Sequence, residues 1–301
     1  MEQIVKRAIL DILKRVVEEF KRDQFLVSRT ISIINVGSLA FPNFKPSLIN
    51  ELDLIFVVDE ERKEIFERFS DLLERVCAYN KHLLPVNIFY TWEHGFRDVS
   101  VSEPTIIIDA DICTKDDKDD LVLHWYSWQF YEPLYGISLR EIACISSITS
   151  YDVINAKGGI KKYLDLLKQR EDIIIKKRIL DNKLVKRQAY FLKIESDKHL
   201  LYTCCKAVLD TVANVVRIYE PILNKEENIR KFKQYFSHLC INEMPEKALI
   251  FQNNLKNGIL LEKEKIEDFY QETISFLENL MNYLLEGEKT KCYMKNNVRM
   301  K

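Results

Sequence analysis

The sequence predicts an α+β protein: a short mixed sheet flanked by helices over residues 1–136, then an all-α helical domain over residues 137–301. Three observations carry that prediction. β-Branched, apolar stretches of strand length, such as Thr30–Val36 and Glu51–Val58, fall in the first half. Amphipathic segments with apolar residues three and four apart alternate with them. Beyond Gly136 such stretches become few, and long charged segments of helical character take over, above all from Lys161 to Lys193. At 301 residues the chain also exceeds the usual size of one hydrophobic core, which favours two domains.

The elements follow in order. Val5, Ile9, Ile12, Leu13, Val16 and Phe20 define one face of an opening helix. Thr30–Val36 is the first strand and ends at a turn on Gly37, and a loop holding Pro42 and Pro46 leads to the second strand, Glu51–Val58. Asp59 is placed to cap the next helix, whose apolar face is Ile65, Phe66, Phe69, Leu72, Leu73 and Val76. Strands are expected at His82–Tyr90 and Pro104–Ile108, separated by a polar loop with Gly95, Arg97 and Asp98, and a short helix at about 119–131 closes the first half. Helices are then expected at about 158–195, 197–220, 226–239 and 261–286, with breaks at Pro221, Pro245 and Gly258 and a frayed basic tail after Gly287.

Composition limits the partners. Forty-five lysines and arginines balance 46 aspartates and glutamates, so the whole-chain charge draws it toward neither nucleic acid nor anionic lipid. The longest apolar runs are strand-length, far short of the roughly 20 residues that span a bilayer, so no membrane association is expected. Seven cysteines, odd in number and without a Cys-x-x-Cys pair, together with a start unlike a signal peptide, favour reduced thiols and a cytoplasmic location. The five histidines are scattered, and no phosphate-binding loop ending in Gly-Lys-Ser/Thr is present.

The residues suited to chemistry lie around the first two strands. Side chains alternate faces along a strand, so Glu51 and Asp53 point the same way while Leu52 and Leu54 enter the core. Adjacent carboxylates repel in a purely structural strand, whereas a divalent cation such as magnesium takes hard oxygen ligands of this kind and leaves positions for phosphate oxygens. Gly37 allows close backbone approach. Ser38 offers a hydroxyl and an N–H at the start of the following helix, where anions are favoured. Asp109 and Asp111 end a later strand on a shared face, where they either join the acidic site or merely cap a turn; Glu93 is a poorer candidate in a loop. Glu195, Lys193 and Lys206 are candidates by type for a group contributed by the helical half. His124–Trp128, Phe130 and Tyr131 form an aromatic segment that either packs on the sheet or stacks on a base. Lys176, Lys177, Arg178, Lys183, Lys186 and Arg187 form a positive run on an expected helix, the best place for an RNA backbone.

A strand ending in Gly37-Ser38, a gap of about a dozen residues, and the apolar-embedded Glu51-Leu52-Asp53-Leu54-Ile55 together resemble the nucleotidyltransferase superfamily, in the style of the prokaryotic aminoglycoside and lincosamide nucleotidyltransferases. The resemblance covers roughly residues 25–140 and includes Pro133-Leu134-Tyr135-Gly136, similar to a Leu-Tyr-Gly turn that often precedes the helical domain. It implies that Glu51 and Asp53 hold Mg2+, with Asp109 or Asp111 replacing a third acid whose usual place holds Pro85. It also implies that Gly37 and Ser38 contact the triphosphate, and Lys206 is added by residue type alone as a further cofactor-binding candidate. The implied reaction moves a nucleotidyl group, most often AMP, from ATP or another nucleoside triphosphate to a hydroxyl of a small-molecule acceptor. A tRNA or protein acceptor, or a degenerate domain that binds nucleotide without turnover, are the alternative expectations.

Overall fold

The computed structural model describes residues 2–40, 44–90, 101–115, 132–142, 150–180, 183–220, 224–237, 239 and 243–298. Its chain divides into two compact units, the first comprising Met1–Ser147, Ile173–Phe191 and Lys256–Ile259 and the second Ile148–Asp172, Leu192–Leu255 and Leu260–Lys301.

In the first unit, helix α1 (Glu2–Arg22) buries Val5, Ala8, Ile9, Ile12, Val16 and Phe20 along one stripe. A short helix α2 (Gln24–Arg29) follows, capped by the Asp23 carboxylate, which accepts from the N–H groups of Phe25 and Leu26 at 3.0 and 3.1 Å. Strand β1 (Thr30–Val36) pairs antiparallel with β2 (Ile49–Val58). Helix α3 (Lys63–Asn80) leads to β3 (Val86–Tyr90), then β4 (Thr105–Thr114) and β5 (Pro133–Gly136). The five strands form one sheet in the order β3-β4-β2-β1-β5. The pairings of β2 with β4 and of β3 with β4 are parallel, and β1 with β5 is antiparallel. A mixed sheet flanked by helices is therefore the architecture, as the sequence predicts.

Alternation divides the sheet into two chemically different faces. Leu52, Leu54, Phe56 and Val58 of β2 and Ile106, Ile108, Ala110 and Ile112 of β4 join α1 and α3 in the main core. The other face carries a smaller apolar cluster of Ile34, Val36, Ile55, Val57, Cys113 and Leu139. The acids lie on that second face.

Several expectations are corrected. Asp59 does not cap α3, since Arg62 occupies the cap position without a side-chain bond and Asp59 accepts from the Arg29 guanidinium at 3.0 Å. The strand expected from His82 begins at Val86, because Pro85 has no N–H to give the ladder. The strand expected to stop at Ile108 runs on to Thr114, which puts Asp109 and Asp111 inside it rather than at its end. Pro133–Gly136 is an edge strand rather than a bare turn. Gly136 has φ 79°, and a Cβ there would lie 1.9 Å from the Ile31 carbonyl oxygen, so only glycine closes that edge.

The largest correction lies between residues 158 and 195. After a short helix α4 (Leu139–Ile142), helix α5 (Ser150–Lys168) ends at Arg170, which takes a left-handed φ of 51°. A two-stranded ribbon follows, β6 (Glu171–Leu180) and β7 (Lys183–Lys193), closed at its base by a bond from Ile194 N–H to the Arg170 carbonyl at 2.9 Å. The consecutive isoleucines 173–175 favour a strand through their branched Cβ, and this outweighs the helix-like charge density. The positive run from Lys176 to Arg187 thus lies on strands. The expected helix at 119–131 lies outside the described residues.

The second unit is built around α6 (Asp197–Val216), which is apolar on nearly every side and so buried on nearly every side. Helices α7 (Lys225–Tyr235), α8 (Met244–Lys256, whose last residue belongs to the first unit) and α9 (Lys263–Val298) complete it, with Phe232, Phe269, Phe276, Leu277 and Leu280 in the shared core. Pro245 opens α8 instead of marking a break, as its fixed φ permits in a first turn. The backbone of α9 stays helical to Val298, where fraying after Gly287 was expected. Cys77, Cys113, Cys204 and Cys205 are free and buried, and burial pushes the Cys77 and Cys204 thiols up to about 12.

Two stability predictions follow from these contacts. Gly136→Ala sets a methyl against backbone that cannot turn aside, and should lower unfolding stability by about 3 kcal/mol in urea titration. Asp23→Ala should cost about 1 kcal/mol at pH 7. Although burial opposes it, hydrogen bonds from Leu26, Arg68 and Phe25 hold the Asp23 carboxyl below its ordinary value. Its contribution is therefore complete above the ordinary aspartate range and lost as pH falls through the depressed value, so wild type and variant should converge in strong acid.

Candidate active site

The antiparallel ladder sets Val36 opposite Asp53, so Gly37 leaves the sheet at the level of that carboxylate. Gly37 has φ 75°, and a Cβ added to it would lie 1.9 Å from Asp53 Oδ2. The carboxylate of Asp53 thus occupies the space over the glycine Cα. Any other residue at position 37 must both adopt a left-handed backbone and displace that oxygen. Ser38 then opens a single 3-10 turn, Ser38–Ala40, closed by the Ala40 N–H on the Gly37 carbonyl at 3.4 Å. This corrects the expected helix start: one turn has no appreciable dipole, and Ser38 has only its hydroxyl and N–H to offer an anion.

The parallel ladder between β2 and β4 decides which acids are neighbours. Asp109 stands opposite Asp53, Ile107 opposite Glu51, and Asp111 opposite Ile55. Asp53 and Asp109 are therefore half-buried carboxylates on one face, on strands about 5 Å apart. Asp111 lies two residues further from the Gly37 corner, buried beside the smaller apolar cluster, where its Oδ1 accepts from the Ile112 N–H at 2.9 Å. The strand after the long helix, β3, is an edge strand and does not touch β2, since β4 lies between them. For that reason the acid beside Asp53 comes from β4, and Pro85 has no bearing on it.

Glu51 lies two residues before Asp53 on the same face. Its Oε2 accepts from Lys256 Nζ at 2.7 Å, with the lysine side chain 17% and the glutamate 24% exposed. The same segment is anchored again where Asn257 Oδ1 accepts from the Leu48 N–H at 3.4 Å. Nothing in the sequence signals this lysine, 205 residues away from its partner. Among the described residues, no group of three or more histidines, cysteines, aspartates or glutamates is gathered so as to hold a metal ion.

The other candidates are dispersed. Lys206 is exposed on α6 of the second unit, Glu195 is exposed between β7 and α6, and Lys193 pairs with Glu171 at 2.7 Å. Sequence reasoning missed a buried polar group in that unit: Asp172 meets His199 Nε2 at 3.0 Å, and the Tyr163 hydroxyl donates to Asp210 at 2.5 Å. Burial, then the neighbouring Lys206, lowers the Lys162 ammonium, while burial followed by Asp210 raises the Tyr163 phenol well above its ordinary value. Glu93, the 95–98 loop and the aromatic segment 124–131 lie outside the described residues. No helix among the described residues is long and apolar enough to cross a membrane.

The steric contact at the corner is measurable. Gly37→Ala should destabilise by about 1–3 kcal/mol. Combined with Asp53→Ala, part of that loss should return, giving a coupling of about 1 kcal/mol in a double-mutant cycle. Strict additivity in urea titration would contradict the packing of Asp53 on Gly37.

No protein-family model matches the chain, and neither does any curated protein. Among solved structures, the chain is similar to spectinomycin adenyltransferase AAD(9) from Enterococcus faecialis, whose crystal structure contains ATP and spectinomycin. The match covers 87% of this chain and 98% of that one, at 12% identity and a TM-score of 0.47. At that distance, what the chain does has to be carried by the geometry of its own strands.

Proposed function

We propose that this chain is a magnesium-dependent nucleotidyltransferase that moves a nucleotidyl group, AMP in the first instance, from a nucleoside triphosphate to a hydroxyl of a small-molecule acceptor. The single observation that carries the reading is the corner itself: Asp53 packed on Gly37 and set in register with Asp109. Like charges directly opposite one another cost a sheet stability, and a cation between them removes that cost. With Glu51 paired to Lys256, no three acids are gathered among the described residues, which is compatible with magnesium, commonly bound by one or two carboxylates and completing its shell with water and substrate phosphates. Asp53 and Asp109 would hold the ion, and Glu51 lies next along the face; Asp111 is the weaker ligand, because it is buried one step away.

The ion, when bound, supplies neutralisation of the charge that develops on the phosphate oxygens. The bare Cα of Gly37 lets a phosphate approach the backbone, and Ser38 offers its N–H and hydroxyl to the oxygens. In the reaction the acceptor hydroxyl oxygen forms a bond to the α-phosphorus and gives up its proton to solvent, the bond to the bridging oxygen breaks, and pyrophosphate leaves with the electron pair. Asp109 is proposed to act with Asp53 and Glu51 at this centre by fixing the geometry of the reacting group.

A second reading is favoured by one observation, the pairing of Glu51 with Lys256: a domain that binds nucleotide without turning it over. Incubation with each of four radiolabelled triphosphates, magnesium and a panel of hydroxylated small molecules separates the two. Transfer of label that falls at least about a hundredfold in Asp53→Asn and in Asp109→Asn supports the enzyme. Saturable nucleotide binding with no pyrophosphate release supports the binder, and transfer untouched by Asp53→Asn refutes the proposed site. Label appearing on tRNA would move the acceptor to RNA.

A further inference from the structure

Lys256 has no place in the chemistry above, yet its ammonium is held against Glu51, one of the acids on the reactive face. The contact is not a loose surface pair. Most of both side chains is withdrawn from water, and the segment is held at the start of β2 by Asn257, beyond which Gly258 turns the chain at φ 74°. A charge-assisted bond in such surroundings is stronger than an exposed one, and removing one partner leaves the other charge poorly solvated. Glu51 in turn lies one strand step from Asp53, so a cation bound at the Asp53–Asp109 pair adjoins the carboxylate that Lys256 already neutralises.

We infer that Lys256 is a built-in counter-cation of the acidic face, and that a divalent ion binds by taking Glu51 from it. This rests on the proposed metal site. Lys256 is a positioning residue: it sets the direction of the Glu51 carboxylate while the site lacks its ion, and it lowers the affinity for that ion by competing for the same oxygen. Once displaced, its ammonium lies beside the bound cation's ligands and is available to the anionic substrate.

The test is Mn2+ binding to the full chain without nucleotide, read from the electron paramagnetic resonance of free Mn2+. Lys256→Met should bind Mn2+ about tenfold more tightly than wild type, since a competing charge is gone. Lys256→Gln, which keeps a donor and loses the charge, should do the same and guards against a folding defect in the first variant. Lys63→Met, an equal charge change on α3 at a lysine paired with Glu67, should shift the affinity less than about twofold at physiological salt. Thermal unfolding in chelator should place both Lys256 variants below wild type, and saturating Mn2+ should raise them by more than it raises wild type. If wild type binds Mn2+ through Asp53 and the Lys256 variants bind it no better, the counter-cation role is wrong while the metal site stands. If no variant binds Mn2+, or binding survives Asp53→Asn, the metal site itself is wrong, and the inference falls with it.

Discussion

The packing of the Asp53 carboxylate on the bare Cα of Gly37 constrains everything around it. It fixes the residue at position 37, because a side chain there would collide with the acid and would also have to adopt a left-handed backbone. It fixes the register of β1 on β2, because a slip of one residue would turn Asp53 into the main core and carry Leu52 or Leu54 out of it. It also places the Gly37-Ser38 turn at the level of the acids, so that an anion approaching that backbone meets them. The rest of the first unit serves to hold this corner still: α1 and α3 bury one face of the sheet so that the other can carry charge.

The sequence reveals the local pieces well and their neighbours poorly. Strand β1 and the acidic strand β2 are legible because apolar alternation and the glycine turn are local signals, and α1 and α3 are legible from their 3.6-residue stripes. Which of the later acids stands beside Asp53 is not legible, because it depends on which strand lies beside β2, and strand order is a property of the whole sheet. Asp109 and Asp111 are equivalent in a sequence, whereas the register puts one opposite Asp53 and the other beside Ile55. The β6–β7 ribbon is hidden by its charges, since lysine and arginine at this density suit a helix as readily as an exposed strand. Lys256 is invisible for a simpler reason: no local pattern marks a contact between residues so far apart.

The second unit handles buried polarity differently from the first. Around α6, the Asp172–His199 and Tyr163–Asp210 contacts lie against a core otherwise made of leucine, valine, cysteine and phenylalanine. Such contacts add little net stability compared with apolar packing, but a misaligned helix would strand them. They favour one alignment of α5 and α6 over the many that smooth apolar surfaces would permit.

The connection between β1 and β5 bears on how the chain is made. Ser32 bonds to carbonyls more than a hundred residues later, and Glu51 meets its lysine later still. Contacts of such long range slow folding and leave early segments waiting on late ones. During synthesis the β1–β2 ribbon emerges with one edge bare and its carboxylates facing water. The first unit therefore cannot close its β5 edge before residue 136, nor seat Lys256 on Glu51 before residue 256, has been made, so its first-made strands wait on its last-made contacts.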